Sequence, residues 1–178
     1  MKILIVVDVQ NDFTTGVLGT PEAQAAIPAI KKKVAEYIAN GDVVIYTRDT
    51  HQEDYMETSE GKYLPVPHCI EGTEGWEIVD GVYADGAIVI DKPTFGVETF
   101  PALMNEWFGD EVIDEIEFVG FCTDICVISN ALIVKAWAAP FQPFITVSCD
   151  AKCCAGVTPE KHAAALEVMK SCQIEVRE

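Results

Sequence analysis

Short apolar, β-branched runs recur along the chain, separated by segments of helical period. The runs are ILIVVDV (3–9), DVVIYTR (42–48), AIVIDK (87–92), EIEFVGF (115–121), FITVSC (144–149) and QIEVR (173–177). Their near-continuous apolar character predicts strands buried on both faces. Between the first two, Ala23, Ile27, Ile30, Val34 and Ile38 fall at steps of three and four. That spacing marks one face of a helix, opened by Pro21 and closed by Gly41. Leu166, Met169 and Cys172 mark a similar face after Thr158-Pro159. Val127 to Ala138 is apolar nearly all round apart from Lys135, which predicts a helix that is either central or covered by a second subunit. The alternation specifies an α/β fold, three layers α-β-α around a mostly parallel six-stranded sheet. Residues 49 to about 86 break the rhythm. This long, polar, Gly/Pro-punctuated excursion exceeds what a crossover needs and points to function.

A length of 178 residues suits one domain, 1–178, with a sizeable core, and the 49% hydrophobic content is that of an ordinary globular protein. Charge narrows the partners. With 29 acidic against 12 basic residues the net charge is −17, a field that repels nucleic acid and anionic membrane and leaves a small neutral molecule unaffected. The seven cysteines (69, 122, 126, 149, 153, 154 and 172) form no disulfide framework; apart from Cys126 they read as small core residues in a reducing compartment. The opening MKILIVVDVQNDF is too short in its apolar part to span a bilayer and lacks a small-residue cleavage site. It reads as a buried strand, and the protein as cytoplasmic.

In a doubly wound sheet, reactive groups collect at the C-terminal ends of the strands. Strand one ends in Asp8, strand two in Asp49, strand three in Lys92, and strand four runs into Cys126. Each is ordinary alone, since an Asp ending a strand is often a turn former and Lys92 could be solvated. Two acids, an amine and a thiol converging on one edge are not ordinary. Thr123-Asp124 offer helix N-caps, which would place Cys126 in the first helical turn, where amides and dipole lower a thiol pKa. The excursion holds a second set. Asp49 and His51 lie two residues apart, His68 follows, and Glu53, Asp54, Glu57 and Glu60 share the loop. Mixed carboxylate and imidazole donors suit one divalent ion, Zn first, with Mn, Fe or Mg as alternatives. Against this stands the plain reading of polar loop residues on a solvated face. His162 carries no assigned role.

At these residues the chain resembles the isochorismatase-like cysteine hydrolases, and within them the nicotinamidases. The resemblance runs through D-V-Q-N-D-F (8–13), T-R-D-T-H (47–51), P-H-C (67–69), D-K-P-T-F-G (91–96) and G-F-C-T-D-I-C-V (120–127). It implies a Rossmann-type strand order and a catalytic triad of Asp8, Lys92 and Cys126. It also implies metal ligands at Asp49, His51 and His68, with Glu60 at a position that varies between His and Glu in the family. It further implies a cis peptide between Phe121 and Cys122, an oxyanion hole from the Cys122 and Cys126 amides, and Phe13 beside the substrate ring. Leu64 stands where nicotinamidases often carry an aromatic. Isochorismate hydrolases proper lack the cysteine and the metal site.

The implied activity is hydrolysis of nicotinamide to nicotinate and ammonia through a Cys126 thioester, in a homo-oligomer acting on a small amide. Two rivals are a metal-independent cysteine hydrolase of another amide or carbamoyl compound, and a non-enzymatic member using Cys126 as a redox sensor. A structural zinc module on Cys149, Cys153 and Cys154 is weaker, because C-x3-C-C matches no common tetrahedral set.

Overall fold

The structure, a computed structural model, describes residues 1–109, 111–141 and 144–178. Six strands, β1 (Lys2–Val7), β2 (Val43–Asp49), β3 (Ile88–Lys92), β4 (Glu115–Phe121), β5 (Thr146–Ala155) and β6 (Glu175–Arg177), form one sheet in the order β3-β2-β1-β4-β5-β6. Every pairing is parallel. The sheet is therefore all-parallel, with the doubly wound order whose direction reverses between β1 and β4.

The central strand shows why. Ile3, Leu4, Ile5, Val6 and Val7 are fully buried, so alternate residues feed two separate cores. Ile3, Ile5 and Val7 join Phe100, Met104, Val134 and Met169 on one face, while Leu4 and Val6 join Ile30, Val34 and Phe121 on the other. Each such side chain contributes roughly 1.5–3 kcal/mol on burial. The first face is covered by α4 (Phe100–Phe108), α5 (Ile128–Ala138) and α6 (Pro159–Ser171), the second by α2 (Pro21–Ala39). Thr20 caps α2 by accepting from the Ala23 N–H at 3.1 Å, with Pro21 in the first turn.

Four local expectations change. The buried face of α2 is Ala23, Ala26, Ile30, Val34 and Tyr37, and Ile38 is exposed; the stripe sits one step off because Tyr37 reaches inward to Glu117, its hydroxyl donating at 2.8 Å. Cys172 is exposed at the end of α6 while Leu166 and Met169 are buried, since the helix stops there. Strand β5 runs on to Ala155, past a register shift opposite Phe118 and Gly120, so the polar Asp150-Ala151-Lys152 interrupts the apolar pattern and not the strand. Finally, α4 has no counterpart in the periodicity described above. It is short, apolar apart from Asn105 and Glu106, with Pro101 in its first turn. Helix α5 buries Asn130, Ala131, Val134 and Ala138 and keeps Leu132, Ile133 and Trp137 half-buried.

Beneath β4 and β5, Glu117 is buried between Lys33, at 2.8 Å, and Arg177, at 3.0 Å, and Ser148 donates to Glu115 at 2.6 Å. This network ties α2 to the sheet and links β4 with β6 across β5. The long excursion is ordered by backbone bonds to the β1–α1 turn, where α1 spans Asn11–Thr14: Asn11 N–H to Glu77 at 3.0 Å, Asp12 N–H to Gly75 at 2.9 Å, and Val79 N–H to Val9 at 2.9 Å. Among the described residues, no helix is long and apolar enough to cross a membrane.

Candidate active site

Strand register brings the distant residues together. Val7 pairs with both Thr47 and Gly120, and Asp49 pairs with Lys92, so the strand ends carrying Asp8, Asp49, Lys92 and the turn after Phe121 lie side by side. Gly120, at φ 119°, is required there, because a Cβ would strike the Val7 carbonyl. Its absence lets β1 and β4 approach where their chains turn toward Asp8 and Cys126. Asp8 itself adopts φ 48°.

The Lys92 ammonium lies 2.7 Å from Asp8 Oδ2, 3.4 Å from Asp49 Oδ1 and 3.6 Å from Cys126 Sγ. Thr47 Oγ1 donates to Asp8 Oδ1 at 2.6 Å, whereas Oδ2 accepts no hydrogen bond of good geometry from any described residue. All three triad candidates are buried. Burial would lower Lys92, but the neighbouring carboxylates of Asp8 and Asp49 outweigh it and hold the ammonium protonated. Burial raises Asp8, against the pull of Lys92.

Cys126 departs from expectation. Burial and the Asp8 charge raise its thiol well above the usual range, and Lys92 only partly opposes them. The turn that carries it also differs from the expected start of an α-helix. Residues Thr123–Val127 form a single π-turn ahead of α5, begun at Cys122 with no side-chain cap. Thr123 instead hydrogen-bonds His162 Nδ1 at 2.8 Å, and Asp124 accepts from Val157 N–H at 2.9 Å. The resting nucleophile is a thiol with an acid–base partner beside it. The peptide between Phe121 and Cys122 is cis. The Ile125 and Val127 amides both donate to the Cys122 carbonyl, at 3.0 and 3.1 Å, fixing the turn around Cys126.

Asp49, His51, Glu60 and His68 form one cluster whose donor atoms all lie within 4.8 Å of one another. His51 Nε2 is 3.0 Å and His68 Nε2 3.3 Å from Asp49 Oδ2; Glu60 Oε1 is 3.8 Å and 3.7 Å from the same nitrogens. A tetrahedron of ~2.05 Å bonds has edges of ~3.3 Å, so the set fits a zinc-like ion. The outer atoms agree, since His68 Nδ1 is engaged by the Val66 carbonyl at 2.8 Å, turning Nε2 inward. Burial would raise Asp49, but His51, His68 and Lys92 together hold it below the carboxylate range. Burial and the Asp49 charge raise Glu60, a crowding of carboxylates that a cation relieves. Glu60 comes from α3 (Ser59–Tyr63), whose N-cap Thr58 accepts from Gly61 N–H at 3.0 Å.

Cys126, Cys122 and this cluster all line one cavity of about 790 Å³, walled by Phe13, Leu18, Leu64, Phe95, Phe121, Ile125 and Val157. The predicted site residues thus meet at one place. Several partners were missed. Gln10 holds the Asp49 backbone from both sides, accepting from its N–H at 2.8 Å and donating to its carbonyl at 2.9 Å. Asn130 accepts from Val97 N–H at 2.8 Å and donates to the carbonyls of Phe95 (3.1 Å) and Cys126 (2.8 Å). The signal for Asn130 was a lone amide on an apolar helix; Gln10 and Thr47 lay inside motifs already noted. Lys161, also on the cavity wall, gave no signal.

The isochorismatase domain family matches residues 2–178, and the chain belongs to that family. It is 29% identical over 189 residues to the nicotinamidase/pyrazinamidase of Mycobacterium tuberculosis, covering 99% of this chain and 98% of that protein. Identity to the nicotinamidase of Schizosaccharomyces pombe is 26% over 207 residues, covering 97% and 91%. Among solved structures, the pyrazinamidase of Pyrococcus horikoshii in complex with zinc superposes with a TM-score of 0.81 at 27% identity, covering 99% of this chain and 98% of that one.

Proposed function

We propose that this protein is a metal-dependent cysteine amidohydrolase that converts nicotinamide to nicotinate and ammonia. The observation that carries the reading is the convergence of Asp8, Lys92 and Cys126 beside a four-donor cluster, both opening on one cavity. The similarity to nicotinamidases supports the choice of substrate, and the seven free thiols suit a reducing compartment.

In this mechanism Asp8 takes the proton of the Cys126 thiol, and Lys92 steadies the resulting charges. The sulfur bonds to the amide carbon, and the Cys122 and Cys126 amides hold the oxyanion, each such donor being worth roughly 3–4 kcal/mol. Collapse breaks the C–N bond while Asp8 returns its proton to the departing ammonia. Water, deprotonated by Asp8, then cleaves the thioester, releasing the carboxylic acid and re-forming the thiol. Asp49, His51, Glu60 and His68 would hold the ion, and when bound it supplies an anchor for the ring nitrogen. Phe13 and Leu64 flank the ring.

Ammonia release from nicotinamide and a panel of other amides, before and after chelation and after zinc is restored, tests this. Nicotinamide should lead the panel, with chelation raising KM. A nicotinamide rate at background while another amide is turned over would remove the substrate assignment, and indifference to chelation would remove the ion.

A further inference from the structure

The cavity wall carries one basic residue that the mechanism leaves unused. Lys161 lies in the first turn of α6, where the Thr158 hydroxyl accepts from its N–H at 3.2 Å. That turn is pinned to the nucleophile turn. Beyond the Thr123–His162 and Val157–Asp124 bonds, a Cβ on Gly156 would come within 2.7 Å of Asp124 Oδ1 and 2.8 Å of the His162 nitrogen. The root of Lys161 is therefore fixed relative to Cys126.

The electrostatics are lopsided. Lys33, Lys92, Lys170 and Arg177 are engaged in ion pairs, whereas Lys161 makes none with any described residue. Its charge does reach the wall of the site. Burial, with the charges of Asp124, Asp8 and Asp49, pushes the Cys122 thiol up to about 12, and Lys161 is the cation that opposes the rise. The acids on the wall, Asp49 and Glu60, both belong to the ligand cluster. Once an ion neutralises them, Lys161 is the remaining charged side chain on the cavity wall, with the Asp124 carboxylate behind it on the Val157 N–H. A volume of about 790 Å³ lies in the range of drug-sized ligands, and a single-ring amide fills only part of it.

We propose that Lys161 forms a carboxylate subsite at the cavity mouth, selecting amides that carry one anionic group remote from the scissile bond. A monoanion is favoured over a phosphate dianion because the whole chain carries a charge of −17. The inference rests on the amidohydrolase reading of the cavity and adds a substrate class to it.

The test compares nicotinamide with 5-carbamoylnicotinate, the same ring bearing one added carboxylate. Binding is measured by calorimetry in Cys126→Ala protein at equal zinc content, with Lys161 intact or changed to Gln, Glu or Arg. The carboxylated ring should bind more tightly than nicotinamide. That advantage should shrink about fivefold in Lys161→Gln, invert in Lys161→Glu, persist in Lys161→Arg and weaken with added salt. A preference unchanged across the variants, weaker binding of the carboxylated ring to the Lys161 protein, or binding of neither ring overturns the subsite. Circular dichroism of each variant guards against misfolding. The outcomes separate from those of the function itself. Nicotinamide turnover by the unmodified enzyme, with no Lys161 effect on binding, sinks only the subsite. Lys161-dependent binding without any turnover of nicotinamide sinks only the substrate assignment.

Discussion

Asp8, Lys92 and Asp49 stand on strand ends and are at most 3% exposed, whereas Tyr63, at the end of the five-residue α3, and Leu64 and Phe95, in connecting segments, are 90%, 36% and 44% exposed. Floor and mouth belong to one cavity but are held by different forces. On the floor each polar group is positioned by parallel register and by buried partners such as Thr47 and Gln10, so displacing one strands another. At the mouth, apolar side chains rest on short segments with few constraints, and their replacement changes fit without disturbing charge. The contrast predicts chemistry set by the sheet and selectivity set by the loops.

The sharpest way to break that contrast is Cys126→Ala. Turnover should fall by at least ~10³-fold with a melting temperature near that of the parent; residual activity above one part in ~100 would dismiss the cysteine mechanism. Next, Glu60→Ala should weaken metal affinity roughly 10–100-fold, read by zinc titration against a competing chelator, and unchanged affinity would remove Glu60 from the ligand set. Asn130→Ala should lower kcat about tenfold and cost ~1–3 kcal/mol of stability, because it frees both the Phe95 segment and the Cys126 turn. A loss confined to stability would make Asn130 merely structural.

The pH profile probes the floor more gently. Asp8 must be ionised to accept the thiol proton, and burial raises its pKa. The acid limb of kcat/KM therefore lies above the ordinary Asp range, with activity lost as pH falls through it. Thr47 donates to the charged form, so Thr47→Val should move that limb to higher pH; a shift to lower pH would contradict Asp8 as the base. The smallest effect belongs to the mouth. Phe95→Ala should raise KM about three- to tenfold, with a far smaller change in kcat, and a loss carried mainly by kcat would place Phe95 in the chemistry.

Much of the floor was legible because strand runs are local signals. A run of buried apolar residues names its own end, and the ends at Asp8, Asp49, Lys92 and the turn to Cys126 are where the sheet places them. Short motifs around these ends carried the family likeness, including the cis bond at Phe121–Cys122. Boundaries were less legible. The stripe of α2 shifted because Tyr37 found a buried carboxylate, and β5 continued through a polar interruption because its neighbour β4 still offered hydrogen-bonding partners. Neither cause is local in sequence.

By itself, then, the sequence determined the alternating α/β architecture and which acid, amine, thiol and imidazoles stand at strand ends and in the excursion, since periodicity and motif are properties of neighbouring residues. Tertiary structure alone decided the protonation of that set. A π-turn replaced the expected helix start, burial raised the Cys126 thiol instead of lowering it, and Lys92 came within 2.7 Å of Asp8. It also decided that Lys161 lines the same cavity and that Gln10 and Asn130 hold the backbone of Asp49 and Cys126. Desolvation and Coulomb energy depend on distances between residues far apart in the chain, and only the packed sheet sets those distances.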